Sequence, residues 1–274
     1  MNETFNFKRF WTFFRYDLKQ TWRRNAKPAI FIGGSGLILF LLWTFFSLVC
    51  FFVWTTPPIW ARLAGFLVAS FILQLYITKT YGFITDKKKG SDYLMIPASA
   101  TEKFISMLLI VLIVIPFMFA TVYYCLDALI CLAFPSCGMT LFSATAYGWE
   151  QFTSGITAAN IAMINEGALF TFSVGGMVMI FVLSSIFGYL FYMLCGMIFK
   201  RFKILWALLL NFGMGTILSS LIGLIIGGAV AAGNDVETVA NGVGTIFLVL
   251  KIYMAVGIVA FAIGIYYRLK RISH

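Results

Sequence analysis

The chain has 274 residues, of which 61% are hydrophobic and only 11% are charged, and its formal net charge is +10. This composition and a mean hydropathy of +0.95 exclude an ordinary soluble domain and predict a membrane protein. The positive charge lies mainly at the ends of apolar runs. We therefore interpret it as a topological signal and as attraction to anionic lipid, without a role in binding nucleic acid.

The first predicted element is an amphipathic helix in residues 1–27. At about 100° per residue, an apolar stripe follows one face and most cations lie opposite it. The stripe consists of Phe7, Phe10, Trp11, Phe14, Leu18 and Trp22, the cations are Lys8, Arg9, Arg15, Lys19, Arg23 and Arg24, and Phe13 interrupts the pattern. Such a helix is expected in the cytoplasmic headgroup layer, before Pro28 begins the turn into the first span. An ordinary basic juxtamembrane tail is the alternative.

Residues 28–274 are predicted to contain six transmembrane helices. A hydrocarbon core about 30 Å thick needs roughly 20 apolar residues per helical span. Runs of that length occupy residues 29–54, 59–83, 104–134, 168–199, 204–232 and 243–267. Each run is continuously apolar and lacks the two-residue alternation of barrel strands, which favours helices. The expected fold is therefore an all-α membrane protein with six spans, preceded by the N-terminal interfacial helix.

The distribution of cations predicts the orientation of these spans. Eighteen of the 20 lysines and arginines fall on one predicted side of the membrane. Arg62 is the only loop or span-edge cation on the other side, where it accompanies five acidic residues. The positive-inside rule then places both termini in the cytoplasm, and we expect a multi-pass protein of the bacterial inner membrane.

Residues 84–103 form a predicted cytoplasmic loop between the second and third spans. Its three consecutive lysines, Lys87, Lys88 and Lys89, are explained by topology alone. Topology does not explain the apolar run at positions 93–96, because a solvated loop has no need for four neighbouring apolar side chains. The loop therefore requires a second explanation.

The residues around the apolar run are suited to hold it rigidly. Gly90 can end the helix that continues from the second span, and Pro97 stops any helix begun before it. Ser99 or Thr101 can cap the next helix, with Glu102 in its favourable first turn. The pattern predicts a short apolar knuckle between two rigid helices, which is typical of a docking element.

The loop resembles the cytoplasmic loop between the second and third spans in the membrane subunits of type-2 ATP-binding-cassette (ABC) exporters. The matching residues are Asp86, Lys89, Gly90, Leu94, Met95, Pro97, Ala98, Ser99, Glu102 and Lys103. The stretch from Ile96 to Phe104 looks especially like permeases of the Bacteroidetes type. The predicted N-terminal helix, six spans and cytoplasmic termini fit the same layout.

The resemblance implies a permease subunit that forms half of a dimeric pore with a second permease subunit. Separate cytoplasmic ABC ATPase subunits would bind ATP and Mg, so this chain is expected to bind no cofactor and to be no enzyme. Tyr93, Leu94, Met95 and Ile96 would be apolar anchors in a groove of the ATPase, Pro97 a stiffener, and Lys87, Lys88, Lys89 and Glu102 a polar rim. The alternative is a binding or immunity-type membrane protein that sequesters a peptide or lipid without a nucleotide cycle.

Two features depart from the family pattern. Many members have a long external segment between spans five and six, whereas here that link, at residues 233–242, is short. The long outer segment is instead at residues 135–167, where a short interfacial helix is predicted at 154–165. It contains neither lysine nor arginine.

Residues typical of catalysis or metal binding are scarce. The chain has no phosphate-binding glycine loop and no Cys-x-x-Cys pair, and its single histidine is His274. No metal site is therefore expected. Cys131 and Cys137 lie close to the predicted outer face, where a disulfide between them is one possibility.

Three polar side chains inside spans are candidates for the substrate path. Lys251 lies about 12 Å from the outer end of the sixth span, where it could line the path, pair with Asp127 or extend to the interface. Gln74 and Asn211 could line the path or form hydrogen bonds between helices. Small residues of the fifth span, including Gly223 and Gly227, predict close helix packing, within the subunit or across a dimer.

Overall fold

The computed structural model describes residues 5–85, 90, 93, 95–165, 173–231 and 236–273. Within these ranges the regular structure is entirely helical. Five helices are long and apolar enough to cross a membrane. They comprise Ile59–Thr85, Ala100–Ala133, Val174–Ile198, Lys203–Leu224 and Thr245–Arg271. These helices confirm the prediction of an all-α architecture in which several helices could span a membrane.

Nine α-helices, numbered along the described chain, make up the fold. They are α1 (Phe7–Gly33), α2 (Ser35–Phe51), α3 (Ile59–Thr80), α4 (Ala100–Leu109), α5 (Ile115–Ala133), α6 (Leu141–Asn165), α7 (Val174–Ile198), α8 (Lys203–Ala231) and α9 (Val236–Ser273). Short 3-10 turns follow α3 at Gly82–Thr85 and α5 at Pro135–Cys137. A π-helical turn, Ile110–Val114, joins α4 to α5. Pro116 follows this turn and has no N–H for the usual bond, which is a common reason for a local change of helix type.

Helix α1 is capped by Asn6, whose side chain accepts hydrogen bonds from the backbone N–H groups of Lys8 and Arg9. The expectation that Pro28 begins the turn into the first span is wrong, because α1 continues through Pro28 to Gly33. A proline inside a helix removes one hydrogen bond. Packing of α1 against α3, α4 and α5 holds the helix together here, and the break falls at Gly34.

The side of α1 that packs against the rest of the chain differs from the predicted stripe. As far as Asn25, its buried residues, at three- and four-residue spacing, are Phe10, Phe13, Asp17, Thr21 and Asn25. Phe13 was expected to interrupt the apolar face, and it lies instead in the largest apolar core. Phe7, Trp11 and Trp22 are exposed, as a face turned toward lipid headgroups would be.

The first predicted span, residues 29–54, is divided at Gly34 between the end of α1 and α2. Helix α2 is apolar and has 17 residues, fewer than the five long helices. At 1.5 Å per residue it is about 25 Å long, slightly less than a typical hydrocarbon core.

Two predicted segments need correction. The outer segment contains one continuous helix, α6, which begins at Leu141 and not near residue 154. The helix begins at this earlier position because the Leu141 N–H donates to Asp127 Oδ2 at 2.6 Å. The predicted link at 233–242 belongs mostly to α9, which begins at Val236.

The largest apolar core lies where α3 ends and α4 begins, and it also contains side chains of α1, α7 and α9. Helix α7 is central in this arrangement and packs against α3, α8 and α9. The α3–α7 contact is very close: a Cβ on Gly196 would collide with the backbone at Thr78. This core supports the loop that the sequence singles out.

Candidate functional site

The start of the 84–103 loop is fixed to the end of α7 and the start of α8. The Thr85 hydroxyl donates to the Met197 carbonyl at 2.9 Å, and Lys203 Nζ donates to the Gly82 carbonyl at 2.5 Å. Both bonds connect the 3-10 turn after α3 to residues more than 100 positions away. The loop therefore begins from a rigid base.

Two residues inside the loop are packed against this base. Gly90 is buried, and a Cβ there would collide with the Ile84 backbone. Tyr93 is only 1% exposed, and its ring contacts Phe13 and Phe83 edge-on at centroid distances of 5.8 and 5.7 Å. The expectation that Tyr93 is an anchor for a partner protein is wrong for this structure, because its ring already fills the chain's own core.

The far end of the loop is fixed by a capping box. Ser99 Oγ accepts the Glu102 N–H at 3.3 Å, and Glu102 Oε2 accepts the Ser99 N–H at 3.0 Å. Ser99, one of two predicted caps, is thus the N-cap of α4. The sequence pattern located this helix start correctly.

Glu102 also receives donors from the N-terminal segment, which covers it completely. Its Oε1 accepts the Asn6 N–H at 2.9 Å and forms an ion pair with Arg9 Nη2 at 2.7 Å. Glu102 is 0% exposed, so the expectation that it belongs to a solvated polar rim is wrong. Hydrogen bonding to Glu102 raises the pKa of Arg9. Lys103, one of the residues matched to the family pattern, is buried as well.

Between these fixed ends, a short apolar segment projects from the surface. Met95 is 79% exposed, Pro97 is exposed, and Ile96 is half-buried against the core. We call Met95, Ile96 and Pro97 the knuckle. Asp86, Lys87, Lys88, Lys89 and Leu94 lie outside the described residues.

A buried carboxylate, which the sequence analysis missed, supports the loop from beneath. Asp17 is 1% exposed, and its Oδ2 accepts hydrogen bonds from three hydroxyls. These come from Ser106 at 2.8 Å, Tyr81 at 3.2 Å and Tyr93 at 3.4 Å. These four residues, the Asp17 cluster, join α1, the end of α3, the loop and α4. Asp17 is the only acidic residue in the otherwise basic stretch 7–27. This isolated acid was the signal in the sequence that could have identified it.

Arg24 places a positive charge near the Asp17 cluster. This charge can act on Asp17 without a direct ion pair between the two side chains. Its Nη2 donates to the Thr80 carbonyl at 3.2 Å, and its guanidinium lies 3.7 Å from the centre of the Phe83 ring. Burial raises the pKa of Asp17, while the hydroxyl bonds and Arg24 act in the opposite direction. Burial also lowers the pKa of Arg24 and raises that of Tyr93 well above its usual value.

A second buried charged group lies near the opposite end of α3. Arg62 Nη1 contacts Asp127 Oδ1 at 2.9 Å, and Arg62 Nη2 donates to the carbonyls of Cys137 and Met139 at 2.9 and 2.7 Å. Asp127 Oδ2 accepts the Leu141 N–H. We call Arg62, Asp127 and these carbonyl and amide partners the Asp127 cluster. It joins α3 and α5 to the start of α6.

The Asp127 cluster settles two alternatives left open by the sequence. Asp127 pairs with Arg62, so the suggested pairing with Lys251 is wrong. Cys131 and Cys137 are both buried and both free, and Cys131 Sγ instead contacts Arg62 Nη1 at 3.0 Å. The Cys131 thiol thus packs against the guanidinium.

The structure does not bring the candidate path residues Gln74 and Lys251 together. Gln74 lies beside Gly188 of α7, whereas Lys251 lies beside Gly176, twelve positions earlier on the same helix. At 1.5 Å per residue these points are about 18 Å apart. Asn211 is half-buried on α8.

Two glycines of α8 have no close neighbour among the described residues. A Cβ on Gly223 or Gly227 would have open space around it. Within the described part of the chain, these two positions therefore do not show the close packing inside one subunit that was one of the two alternatives for this helix.

Comparisons of the chain with protein-family models, with curated proteins and with solved structures find no match. The geometry of the loop and the sequence pattern are thus the basis for assigning a function.

Proposed function

We propose that the chain is the membrane-spanning permease subunit of an ABC-type exporter, and that it couples ATP hydrolysis on separate ATPase subunits to substrate translocation. The observation that carries this proposal is the knuckle. An exposed methionine and proline project from a loop whose two ends are fixed to buried structure. Exposed apolar side chains on a rigid support are a feature of protein docking surfaces.

Rigidity matters because the loop would transmit a movement. The knuckle lies directly between α3 and α4, the helices that the loop joins. When the ATPase subunits close on ATP, a rigid connection would shift these helices, whereas a flexible loop would absorb the displacement. Binding energy at the ATPase would thereby favour one arrangement of the spans over another.

The remaining layout completes the proposal. The end of α1 together with α2 would form the first of six spans, and the N-terminal part of α1 would lie at the cytoplasmic headgroup layer with Phe7 and Trp11 toward lipid. Both termini would be cytoplasmic, in a bacterial inner membrane. The exposed Lys79 lies beside the loop, and the Asp127 cluster pairs its charges internally at the other end. This asymmetry supports the orientation given by the positive-inside rule.

A second permease subunit would complete the pore. The exposed apolar side chains of α8 include Leu209, Phe212, Ile217 and Leu224. Together with the open space at Gly223 and Gly227, they make α8 a suitable surface for close packing with another copy or a related chain.

Replacement of Met95 by aspartate tests the proposal. The purified wild-type chain is expected to retain a cytoplasmic ATPase in detergent and to stimulate its hydrolysis of ATP. Met95→Asp should insert and fold normally yet weaken this association at least tenfold, because it places a charge in the centre of an apolar contact. Co-purification and ATPase assays measure both effects.

The matched control is Met139→Asp, at a methionine that is also exposed but lies beside the Asp127 cluster. It should leave ATPase binding unchanged. If the wild-type chain binds no ATPase but retains a peptide or lipid stoichiometrically, the exporter proposal is wrong and the sequestering alternative is supported.

A further inference from the structure

An elongated cavity of about 340 Å³ lies between α1, α3 and the helix formed by α4 and α5. Its volume is at the low end of the range for small-molecule sites, roughly 300–1,000 Å³. Its lining extends from Leu18 to Gly34 on α1 and from Ile110 to Leu126 on the facing helix. Sixteen residues of helix span about 24 Å, so the cavity is long and narrow. It contains none of the three candidate path residues.

The lining is almost entirely apolar, and its polar groups are gathered at one end. Thr21 and Asn25 of α1 face Tyr76 and Thr80 of α3 at this end. The opposite end is lined by glycines and aliphatic side chains such as Val122 and Leu126. A ligand with a polar group at one end of a hydrocarbon chain matches this distribution.

Asn25 provides an unused hydrogen-bond donor at the polar end. Its side chain is 9% exposed, and its Oδ1 accepts the Tyr76 hydroxyl at 3.0 Å. Its Nδ2 is buried and has no hydrogen-bond partner among the described residues. A buried amide without a partner is unfavourable because it has lost its hydrogen bonds to water. An acceptor atom of a ligand in the cavity would satisfy it.

The cavity opens sideways, and the opening is surrounded by exposed residues. Trp22, Ile30, Met118 and Val122 line it and are each more than a third exposed. In a membrane these side chains would face lipid, so an acyl chain could enter laterally. A cation lies at the polar end, because Arg24 Nη2 donates to the backbone carbonyl of Thr80, which lines the cavity. A cation placed this way complements the phosphate of an anionic headgroup.

We propose that the cavity binds one acyl chain of an anionic membrane phospholipid. An ester carbonyl of this lipid would accept a hydrogen bond from Asn25 Nδ2, while the phosphate lies beside Arg24. The chain would extend past Val114 toward Val122. This lipid would be a structural ligand that joins α1 to the spans, and its binding requires neither an ATPase nor transport.

Photolabelling in vesicles tests the proposal. The protein is reconstituted into phosphatidylethanolamine and phosphatidylglycerol, with a trace of phosphatidylglycerol carrying a diazirine in one acyl chain. After illumination, labelled residues are mapped by mass spectrometry. Labelling at Val114, Met118 and Val122 should exceed that at Val182 of α7, an exposed valine that would face bulk lipid. Uniform labelling of all four positions would overturn the proposal.

Two variants separate the cavity from the general lipid-facing surface. Val114→Trp fills the cavity and should reduce labelling of Met118 and Val122 several-fold, while the control Val182→Trp should leave it unchanged. Asn25→Leu keeps the volume but removes the donor. It should reduce cavity labelling about twofold to tenfold, the range for one net hydrogen bond. Normal elution in size-exclusion chromatography confirms that each variant is folded.

Competition with unlabelled lipid tests the headgroup. Excess phosphatidylglycerol should displace the label from the cavity, and excess phosphatidylcholine should do so at least several-fold less well. Equal displacement by both would overturn the assignment to an anionic lipid. Absence of label in the cavity, with protein crosslinks between copies at Val122 in its place, would assign the cavity to a second subunit and overturn the proposal.

Discussion

Two regions near opposite ends of α3 each bury a carboxylate, and they stabilise it in different ways. In the Asp127 cluster a guanidinium faces the carboxylate at 2.9 Å, and further backbone groups form hydrogen bonds with both partners. In the Asp17 cluster three neutral hydroxyls share one carboxylate oxygen, and the nearest cation is bonded to a backbone carbonyl. The positions Arg62 and Tyr81 are about 28 Å apart along α3.

The difference suggests different mechanical roles for the two regions. A buried ion pair is strongly destabilised when either partner is lost, so the Asp127 cluster holds α3, α5 and α6 in one fixed arrangement. Hydroxyl bonds are individually weaker and can be broken one at a time. The Asp17 cluster therefore attaches α1 and the loop to the core through several separate bonds, each of which contributes only part of the attachment.

The largest expected effect is at the Asp127 cluster. Arg62→Leu leaves a buried, uncompensated carboxylate, which should destabilise the protein by about 3–5 kcal/mol. We expect a melting temperature lower by roughly 10 °C in detergent, measured by scanning fluorimetry. Arg23→Leu, at an exposed arginine of α1, is the matched control and should have little effect.

A double variant shows whether the loss of stability comes from the uncompensated charge of Asp127. Arg62→Leu combined with Asp127→Asn removes both charges but keeps an oxygen that can accept the Leu141 N–H. It should recover at least half of the stability lost in the single variant. If Arg62→Leu alone melts within 2 °C of wild type, the Asp127 cluster is not the rigid element described here.

Single hydroxyl deletions in the Asp17 cluster should have smaller, graded effects. Ser106→Ala removes the shortest bond and should destabilise the protein by about 1–3 kcal/mol, the range for a hydrogen bond to a charged group. Tyr93→Phe removes the longest, at 3.4 Å, and should have a smaller effect. Equal losses in the two variants, again from thermal melting, would show that the three hydroxyls act as one unit.

The smallest expected effect is a dependence of the protein's stability on pH. The pKa of Asp17 is raised in the folded protein above its unfolded value of about 3.9, because the carboxyl is buried. The folded state then binds this proton more tightly. Its contribution to stability is fully present below about pH 4 and is lost as the pH rises through the raised pKa.

Asp17→Asn cannot titrate and should lack this contribution. The melting temperature of wild type minus that of Asp17→Asn should therefore fall as the pH rises above 4, and then level off. A difference that stays constant between pH 4 and 7 would show that Asp17 is not protonated in this range.

The sequence predicted the features that depend on local pattern. The apolar runs located the five long helices to within about eight residues at each end, and the capping signal gave Ser99 as one of two candidate N-caps of α4. Exposed Met95 and Pro97 also agree with the expected apolar knuckle. Each of these features is set by neighbours within a few positions along the chain.

The features that the sequence did not predict depend on contacts between distant residues. Tyr93 and Glu102 were expected at the surface, but α1 covers them through Asp17 and Arg9, about 76 and 93 positions away. A helical stripe shows which residues share a face but not what that face contacts. The pairing of Arg62 with Asp127 was missed for the same reason, because 65 positions separate them.

The most direct test of the account is a photocrosslinker in place of Met95 in living cells, with the same group at Met139 as the control. Crosslinked products are purified through a tag on this chain and identified by mass spectrometry. If the knuckle docks on an ATPase, we expect a covalent adduct between position 95 and a cytoplasmic ABC ATPase, and no such adduct from position 139. Adducts from position 95 with lipid alone, or labelling of position 95 by an impermeant reagent added outside the inner membrane, would contradict it.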